Sequence, residues 1–313
     1  MIQQSSLAAL DAAAAVVYEA MSSTPERRWP RLDARCGIPV WVKHENETPV
    51  GAFKVRGGLV YFDDLQRAAA GAGGVIAATT GNHGQSVAFA ARRYGIPSRI
   101  VVPRNARPGK VRAMRALGAE VLEEGQDFQA AFEAASRMAA ARGWHMVPSF
   151  HPRLVAGVAS YSLELLRRAS DLETLYVPVG LGSGVCGAIA ARDALGLSTR
   201  IVAVVAAAAP AYALSLASGR VISHEVTTRN APGMACRTPV ADALEIIRRG
   251  VDRVVTVTDD QIDEAAGVVL ETTGQDVEGA AAAGLAALLS EPVERRGRSA
   301  GIVLTGANTE SGH

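Results

Sequence analysis

The sequence predicts an α/β protein built as two interleaved three-layer α/β/α domains with mostly parallel sheets. Along most of its 313 residues, short apolar runs alternate with longer segments that have helical patterns. Such alternation is typical of parallel sheets that carry helices on both faces. It occurs in both halves of the chain, and no Pro- or Ser-rich linker separates them. We therefore expect interleaved domains rather than two domains joined end to end.

The first half contains four short segments with the pattern of strands. They lie at residues 39–45, 74–78, 98–103 and 119–122. A loop and a helix follow the second strand, and another helix is predicted at about 127–142. The helix predicted at 107–118 has Pro near its start and Gly at its end, which are common residues at helix boundaries.

The second half repeats this rhythm. Its strands are predicted at residues 174–179, 200–205, 253–257 and 301–305. A Gly-rich loop follows the first of these strands and leads into a helix from about residue 185. An Ala-rich helix is predicted at 277–289.

The composition narrows the classes of function. The chain is 49% hydrophobic and has 32 basic and 31 acidic residues, which gives a net charge of +1 without a basic cluster. Binding to nucleic acid or to a membrane surface is therefore not expected. No apolar run reaches the length of a transmembrane helix, and the first residues lack the pattern of a signal peptide.

The three cysteines, Cys36, Cys186 and Cys236, are widely separated in the chain. Because they form no Cys-x-x-Cys pair, the sequence indicates neither a zinc site nor a disulfide framework. A reducing cytoplasm is the simplest location for such a chain.

Two segments carry the first functional signal. ThrProValGlyAlaPheLysValArgGly spans 48–57, and ThrThrGlyAsnHisGlyGln spans 79–85. In the first, Lys54 has apolar neighbours, and a lysine in such a setting can lose its proton and become a nucleophile. In the second, a loop leads into a helix whose free N–H groups and positive dipole end suit an anion. A pyridoxal phosphate enzyme needs both features, a Schiff-base lysine and a seat for a carboxylate.

A third segment, ValProValGlyLeuGlySerGlyValCysGly at 177–187, follows a predicted strand and opens a helix. Its alternate glycines would let the backbone approach a ligand closely, and Ser183 could donate a hydrogen bond. The segment does not match the GlyxGlyxxGly pattern of dinucleotide sites, and the acidic residue expected about twenty positions later is missing. A phosphate monoester is therefore a better ligand than NAD.

Together these segments resemble the fold-type II pyridoxal phosphate enzymes, which have a tryptophan synthase β-like fold, and within them the threonine/serine dehydratase and serine racemase branch. The resemblance covers nearly the whole chain and is carried, in order, by 51–57, 79–85, 180–184, 230–239 and 304–308. It implies a large cofactor-binding domain of residues 1–48 and 151–313. Residues 49–150 would form a small, mobile domain that carries the substrate loop. A homodimer is also expected.

The resemblance assigns roles to individual residues. Lys54 would form the Schiff base with pyridoxal 5′-phosphate, Asn82 would contact the cofactor's 3-hydroxyl, and Thr305 would lie against the pyridine nitrogen. The residues assigned to the cofactor are Phe53, Lys54, Asn82, Gly180, Leu181, Gly182, Ser183, Gly184 and Thr305. The residues assigned to the substrate are Thr79, Thr80, Gly81, Asn82 and His83. The segment 230–239 would form a wall of the site.

The implied activity is that of a dehydratase, or ammonia-lyase. A β-hydroxy-α-amino acid such as L-threonine or L-serine would give a 2-keto acid and ammonia, with Lys54 removing the α-proton. A hydroxyl partner such as Thr305 cannot keep the pyridine nitrogen protonated as an aspartate would, so the cofactor would favour β-elimination over transamination. Phenylserine and 3-hydroxyaspartate are alternative substrates.

Two other functions remain open. An amino-acid racemase on the same scaffold would need a proton donor opposite Lys54. Thr80, the second candidate catalytic residue, occupies the position of a serine in serine racemases and retains a hydroxyl, but its branched Cβ restricts the rotamer. A ligand-binding protein without catalysis is the other alternative, and Lys54 argues against it.

No metal site is expected. Some relatives hold a divalent cation with a glutamate just after the strand equivalent to 200–205. Here that strand is followed by a run of alanines, and the first carboxylate after it is the distant Glu225. The histidines also lack the spacing of a ligand motif.

Overall fold

Two sheets organise the part of the chain that the computed structural model describes, residues 6–69 and 73–309. The strands are β1 (Glu26–Arg28), β2 (Val40–Lys43), β3 (Val75–Ala78), β4 (Ser98–Val102), β5 (Glu120–Glu123), β6 (His145–Met146), β7 (Thr174–Pro178), β8 (Arg200–Ala206), β9 (Arg253–Val257) and β10 (Ala300–Val303). The helices are α1 (Leu7–Tyr18), α2 (Pro30–Cys36), α3 (Lys54–Arg67), α4 (Asn82–Arg93), α5 (Pro108–Ala116), α6 (Phe128–Arg142), α7 (Pro152–Arg168), α8 (Ser183–Ala194), α9 (Ala211–Ser218), α10 (Ala241–Gly250), α11 (Asp259–Thr273), α12 (Gly279–Ser290) and α13 (Val293–Arg296).

The larger sheet has six strands in the order β1-β2-β10-β7-β8-β9. Only its edge strand β1 runs antiparallel, pairing with β2, and the other neighbours are parallel. The smaller sheet has four parallel strands in the order β5-β4-β3-β6. The mostly parallel α/β architecture predicted from the sequence is therefore confirmed.

Helices cover both faces of each sheet, because both faces of the central strands are apolar. In β8, Val202 and Val204 pack in one core with α2, α11 and α12. The alternate residues Ile201 and Ala203 pack in a second core with α1, α7, α8 and α10. In the smaller sheet, α3, α4 and α5 pack on one face and α6 on the other. Each sheet is thus the middle of three layers.

All eight predicted strands are present, with ends that differ from the prediction by at most two residues. The strands β1 and β6 were not predicted. They have only three and two residues, and β1 consists of Glu26, Arg27 and Arg28. Such short polar segments carry no apolar alternation, so they become strands only through pairing with β2 and β3.

The strands of the smaller sheet, β3 to β6, all fall within residues 49–150, and the strands of the larger sheet lie outside that range. The chain leaves the larger sheet after β2 and returns to it at β7. This interleaving is compatible with the predicted domains, whose boundaries stay a prediction. Among the described residues, no helix is long and apolar enough to cross a membrane.

Candidate active site

The predicted site segments converge where three strands end. Loops leave the carboxyl ends of β3, β7 and β10, the edge at which parallel α/β sheets bind ligands. The segment before α3 lies against the loop after β10, since Ala52 pairs with Gly306 and the Phe53 N–H donates to the Thr305 carbonyl at 3.1 Å. Across the site, Lys54 Nζ donates to Ser183 Oγ at 2.9 Å.

Lys54 differs in its partners from the chain's two other lysines. The Lys43 ammonium donates to the carboxylates of Glu26 and Glu164, and the Lys110 ammonium pairs with Glu278. Within the described residues, the contacts of the Lys54 ammonium are the Ser183 hydroxyl and the ring of Phe53, and neither is a carboxylate. Burial lowers the pKa of Lys54 to about 8. This amine is therefore the one suited to lose its proton near neutral pH.

Phe53 connects the lysine to the core that α7 and α8 form beside the larger sheet. The centroid of its ring lies 5.1 Å from Lys54 Nζ. The ring also packs edge-to-face on Tyr161 of α7, with 6.0 Å between centroids. The Tyr161 hydroxyl in turn donates to the Gly184 carbonyl at 3.3 Å. Phe53 thus lies between the lysine and the glycine loop.

The loop predicted to hold phosphate surrounds the start of α8. Gly182 has a φ of +99°, which glycine adopts readily, and α8 begins at Ser183. The N–H groups of a first helical turn have no partner within the helix and face a ligand beyond its end. The Leu181 carbonyl accepts from the Tyr212 hydroxyl at 2.9 Å, which fixes the loop from behind.

The loop is also closed by the segment predicted to form a wall. A Cβ atom at Gly180 would collide with the Gly233 carbonyl oxygen, so the two backbones are in contact. A Cβ atom at Gly182 would lie 2.9 Å from the Cβ of Ala243. Glycine is therefore required by space at both positions, and at Gly182 by backbone conformation as well.

The loop predicted to bind the substrate carboxylate is fixed by its own side chains. Thr79 is buried, and its Oγ1 accepts from the Gly81 N–H at 3.0 Å. Thr80 is exposed. Because α4 begins at Asn82, its first N–H groups point out of the helix beside Thr80 and Gly81. The loop therefore offers an anion both backbone donors and the positive end of a helix.

His83 lies in the same loop as a neutral side chain. Burial, with the positive charge of Lys54 nearby, lowers its pKa to about 3. Its Nε2 atom is buried and has no hydrogen-bond partner among the described residues. Because the ring is neutral, His83 adds no positive charge to the predicted carboxylate site. The backbone donors and the helix dipole supply the attraction for an anion there.

Sequence reasoning missed the partners of Asn82. Its Nδ2 donates to Glu278 Oε2 at 2.7 Å, and its Oδ1 accepts from Asn308 Nδ2 at 3.0 Å and from Lys110 Nζ at 3.4 Å. Glu278 directly precedes α12, and Lys110 lies on α5. These pairs are separated by 28 to 226 residues in the chain, so no local pattern could indicate them.

Sequence reasoning also missed a buried ionic network directly behind Lys54. The fully buried Arg56 guanidinium donates to both oxygens of Glu45 and both oxygens of Glu164. Lys43 belongs to the same network, because its side-chain nitrogen pairs with the Glu164 carboxylate. Burial alone would raise the pKa of Glu164, but Arg56 and Lys43 hold it below its ordinary value. The network ties the first turn of α3, and with it Lys54, to β2 and α7.

These features fit pyridoxal phosphate. Lys54, whose amine contacts no carboxylate in the described part of the chain, lies beside a glycine loop at a helix N-terminus, where there is no room for side chains at Gly180 and Gly182. Lys54, the 180–184 loop and Thr305 would hold the cofactor. For a metal ion, no group of three or more His, Cys, Asp or Glu side chains is suitably placed in residues 6–69 and 73–309.

Comparison with known proteins agrees with this geometry. A family model described as "Pyridoxal-phosphate dependent enzyme" matches residues 17–306. The chain is 39% identical over 277 residues to an L-threonine ammonia-lyase of Geobacter sulfurreducens, which covers 88% of this chain and 69% of the relative. It is 30% identical over 295 residues to an L-threo-3-hydroxyaspartate ammonia-lyase of Saccharomyces cerevisiae, which covers 94% of this chain and 90% of the relative.

A solved structure has the same fold. Maize serine racemase matches with a TM-score of 0.92 and 27% sequence identity, covering 98% of this chain and 94% of that one. The predicted fold type and cofactor are thereby confirmed. The chain therefore belongs to the pyridoxal-phosphate dependent enzyme family, and within it to the carbon–oxygen lyases that dehydrate hydroxy amino acids.

Proposed function

We propose that this protein converts a β-hydroxy-α-amino acid, with L-threonine or L-serine as the first candidates, to a 2-keto acid and ammonia. The observation that carries the proposal is the environment of the Lys54 amine. This amine is partly buried, lacks a carboxylate partner within the described residues and lies 2.9 Å from Ser183 at the end of a glycine loop. A neutral amine in that position is a base for the proton on the substrate's Cα.

Each segment of the site has a proposed part in the reaction. The first N–H groups of α4 bind the α-carboxylate, and residues 180–184 bind the cofactor phosphate. When bound, pyridoxal phosphate supplies the electron withdrawal that acidifies the Cα proton. Thr305 provides the ring nitrogen with a neutral hydroxyl partner. Phe53, packed between Lys54 and Tyr161, keeps water from the amine.

The atoms balance as an elimination followed by hydrolysis. Lys54 Nζ takes the Cα proton and the Cβ–O bond breaks. The hydroxyl takes up one proton as it leaves as water, which balances the proton removed from Cα. The released enamine tautomerises to an imine, which takes up one water and releases ammonia. The net change is loss of ammonia from the hydroxy amino acid and formation of the 2-keto acid.

A substrate panel tests this proposal. Purified protein loaded with pyridoxal phosphate is assayed with both enantiomers of threonine, serine, phenylserine and 3-hydroxyaspartate, and 2-keto acid and ammonia are measured together. We expect equal amounts of the two products from at least one substrate. Chiral analysis of the remaining amino acid measures racemisation. Inverted amino acid without 2-keto acid would overturn the proposal in favour of the racemase.

A second candidate substrate, 3-hydroxyaspartate, is favoured by one cavity. A space of about 230 Å³ borders Glu278, which contacts Asn82, and its lining includes Arg107 and Arg229. Arg107 directly precedes α5, and the Arg229 guanidinium lies 3.8 Å from Asp259 and 3.7 Å from Asp260. The positive charge of these two side chains suits a second carboxylate. We expect Arg229→Gln to reduce kcat/KM for 3-hydroxyaspartate at least tenfold relative to threonine. An equal effect on both substrates would contradict this assignment, and the exposed Arg220→Gln serves as the control.

The homodimer and the cytoplasmic location remain proposals. The resemblance supports the dimer, and light scattering would test it against the 32.6 kDa of one chain. All three cysteines are free and buried, which is compatible with a reducing compartment.

A further inference from the structure

Asn82 is held by partners that permit only one orientation of its side-chain amide. The Glu278 carboxylate can only accept a hydrogen bond, and the Lys110 ammonium can only donate one. The amide nitrogen must therefore face Glu278, at 2.7 Å, while its oxygen faces Lys110 and Asn308. One N–H of the amide is used by Glu278, and no group among residues 6–69 and 73–309 accepts the other, which is available to a ligand.

The two charged partners come from opposite sides of the site. Lys110 lies on α5, which packs on the smaller sheet, and Glu278 lies at the start of α12, which packs on the larger sheet. Lys110 Nζ and Glu278 Oε1 are 2.6 Å apart, and the side chains are only 9% and 10% exposed. This ion pair is thus a buried, direct connection between the two sheets beside the site.

The backbone around Glu278 is shaped to admit its carboxylate. A Cβ atom at Gly306 would lie 2.5 Å from Glu278 Oε2 and 3.2 Å from Asn82 Nδ2. The Glu278 N–H donates to the Gly306 carbonyl at 3.0 Å, so the backbone of Glu278 is anchored to the loop that follows β10. A side chain at position 306 would therefore displace the carboxylate from Asn82.

We propose that Lys110 and Glu278 are positioning residues. They hold the Asn82 amide with its free N–H toward the cofactor, and they close the two sheets across the site. Neither residue is a member of the set that the sequence assigned to cofactor or substrate. The inference rests on the proposed function through the cofactor contact of Asn82, and it is independent of which amino acid is the substrate.

Cofactor affinity provides the first test, measured from the absorbance of titrated apo-protein. We expect Glu278→Met to raise the dissociation constant of pyridoxal phosphate at least tenfold, because Asn82 loses its acceptor and Lys110 loses its counter-charge. Glu278→Gln keeps an oxygen acceptor and should lose less affinity than Glu278→Met. Equal losses in the two variants would show that the hydrogen bond to Asn82 has no role.

The decisive comparison repeats Glu278→Met in an Asn82→Ala background. If Glu278 acts through Asn82, adding Glu278→Met to the Asn82→Ala variant lowers the affinity for pyridoxal phosphate less than twofold further. A merely structural role predicts that the tenfold loss appears again, and that result would overturn the proposal. Both measurements use cofactor binding, so they remain informative even if no hydroxy amino acid is turned over, an outcome that would contradict the proposed function alone.

Unfolding of the apo-protein tests the closure of the two sheets without any ligand. Lys110→Met and Glu278→Met each leave one buried charge unpaired, whereas the double variant leaves none. The double variant should therefore have a higher free energy of unfolding than either single variant. If a single variant does not fold, a folded double variant shows the same order of stability. The exposed pair of Arg167 and Asp11, 2.7 Å apart, gives the matched control cycle. If the effects of the two single substitutions on the free energy of unfolding simply add, the ion pair does not hold the two sheets together and that part of the proposal is wrong.

Discussion

The chemistry of Lys54 depends on what surrounds it. Carboxylates contact the side-chain nitrogens of Lys43 and Lys110, whereas the nitrogen of Lys54 contacts a neutral hydroxyl and an aromatic ring. Burial then disfavours its charged form, and no carboxylate of the described residues contacts the amine to offset that cost. The pKa of about 8 follows from this environment.

The pH dependence of cofactor attachment follows from that pKa. We expect the rate at which apo-protein links pyridoxal phosphate to Lys54 to rise with pH, with a midpoint near 8 rather than near the ordinary lysine value of about 10.5. Stopped-flow absorbance between pH 6.5 and 10 measures it. Borohydride trapping and peptide mapping should identify Lys54, and Lys54→Ala should give no linked chromophore. A midpoint near 10, or label on another lysine, would contradict the assignment.

The same shift has a consequence for the stability of the apo-protein. Between pH 8 and the unfolded lysine's higher pKa, the unfolded chain binds a proton that the folded chain does not, so the stability contribution of Lys54 rises with pH. Below pH 8 both states are protonated, and the folded state retains the full cost of the buried charge.

Thr305 provides a test of reaction type. Thr305→Asp should protonate the pyridine nitrogen and increase racemisation relative to elimination, because the cofactor becomes a stronger electron sink. The ratio of 2-keto acid to inverted amino acid measures this change. Thr305→Ser keeps the hydroxyl and should retain the wild-type ratio. If Thr305→Asp binds cofactor and its ratio is unchanged, this residue does not determine the reaction.

Individual residues were predicted where a local pattern marks them. Lys54 and the glycines of 180–184 lie in short motifs at helix starts, and the structure brings them together. Glu278 and Lys110 lie in no such motif. Their pairing joins positions 168 residues apart, and it depends on how the two sheets meet. Ser183 was predicted as a donor to phosphate, and the structure additionally places its oxygen against Lys54.

At the scale of elements, the glycine loop depends on close backbone packing. Gly180→Ala would drive a methyl group into the Gly233 carbonyl. Overpacking of this kind costs about 1–3 kcal/mol, so we expect cofactor affinity to fall roughly tenfold or more as the loop shifts. A titration of apo-protein measures the change. Gly267→Ala in α11 has no atom within 4 Å of the added methyl and should bind cofactor normally.

The first turn of α3 depends on the ionic network behind it. Arg56→Met would leave Glu45 and Glu164 without their shared guanidinium, and an uncompensated buried charge costs about 3–5 kcal/mol. Urea unfolding should show this loss. Arg167→Met removes an exposed ion pair and should change the free energy of unfolding by less than about 1 kcal/mol. Similar losses in both variants would contradict a special role for the Arg56 network.

Most elements could be predicted because their patterns are local. The strand β8 is apolar on both faces and α6 has helix periodicity, so each appears in the sequence by itself. The strands β1 and β6 have no such pattern in the sequence, because they become strands only by pairing with β2 and β3. The ionic network behind α3 joins Arg56 to Glu164 of α7 across 108 residues, and no periodicity encodes that contact.

For the whole molecule, the main consequence of the interleaved chain is that the site has parts from both sheets. Lys54 is anchored to the larger sheet through the network of Arg56, while Asn82 and the loop of Thr79 and Thr80 follow β3 of the smaller sheet. The sequence predicted two interleaved domains from its repeated rhythm. The way the two sheets face each other depends on long-range contacts such as Lys110 to Glu278.

Cofactor binding should therefore stabilise both sheets. The chain has three tryptophans: Trp29 and Trp41 lie beside or within the larger sheet, and Trp144 precedes β6 of the smaller sheet. A Trp144→Phe variant thus reports unfolding of the larger sheet, and a Trp29→Phe/Trp41→Phe variant reports the smaller one. At a cofactor concentration one hundred times the dissociation constant, binding stabilises the native state by about 2.7 kcal/mol. We expect both reporters to show this shift in urea unfolding followed by fluorescence.

Lys54→Ala separates the contributions of the two sheets to this shift. The glycine loop of residues 180–184 remains intact in that variant, so the larger-sheet reporter should keep part of the stabilisation by cofactor. The smaller-sheet reporter should lose more, because its contact with the cofactor through Asn82 requires the ring to be held in place. Inorganic phosphate, which lacks a ring, is the control and should shift only the larger-sheet reporter. If cofactor leaves the smaller-sheet midpoint unchanged in the protein that retains Lys54, the smaller sheet contributes no binding energy. The interleaving of the chain would then have no part in assembling the site.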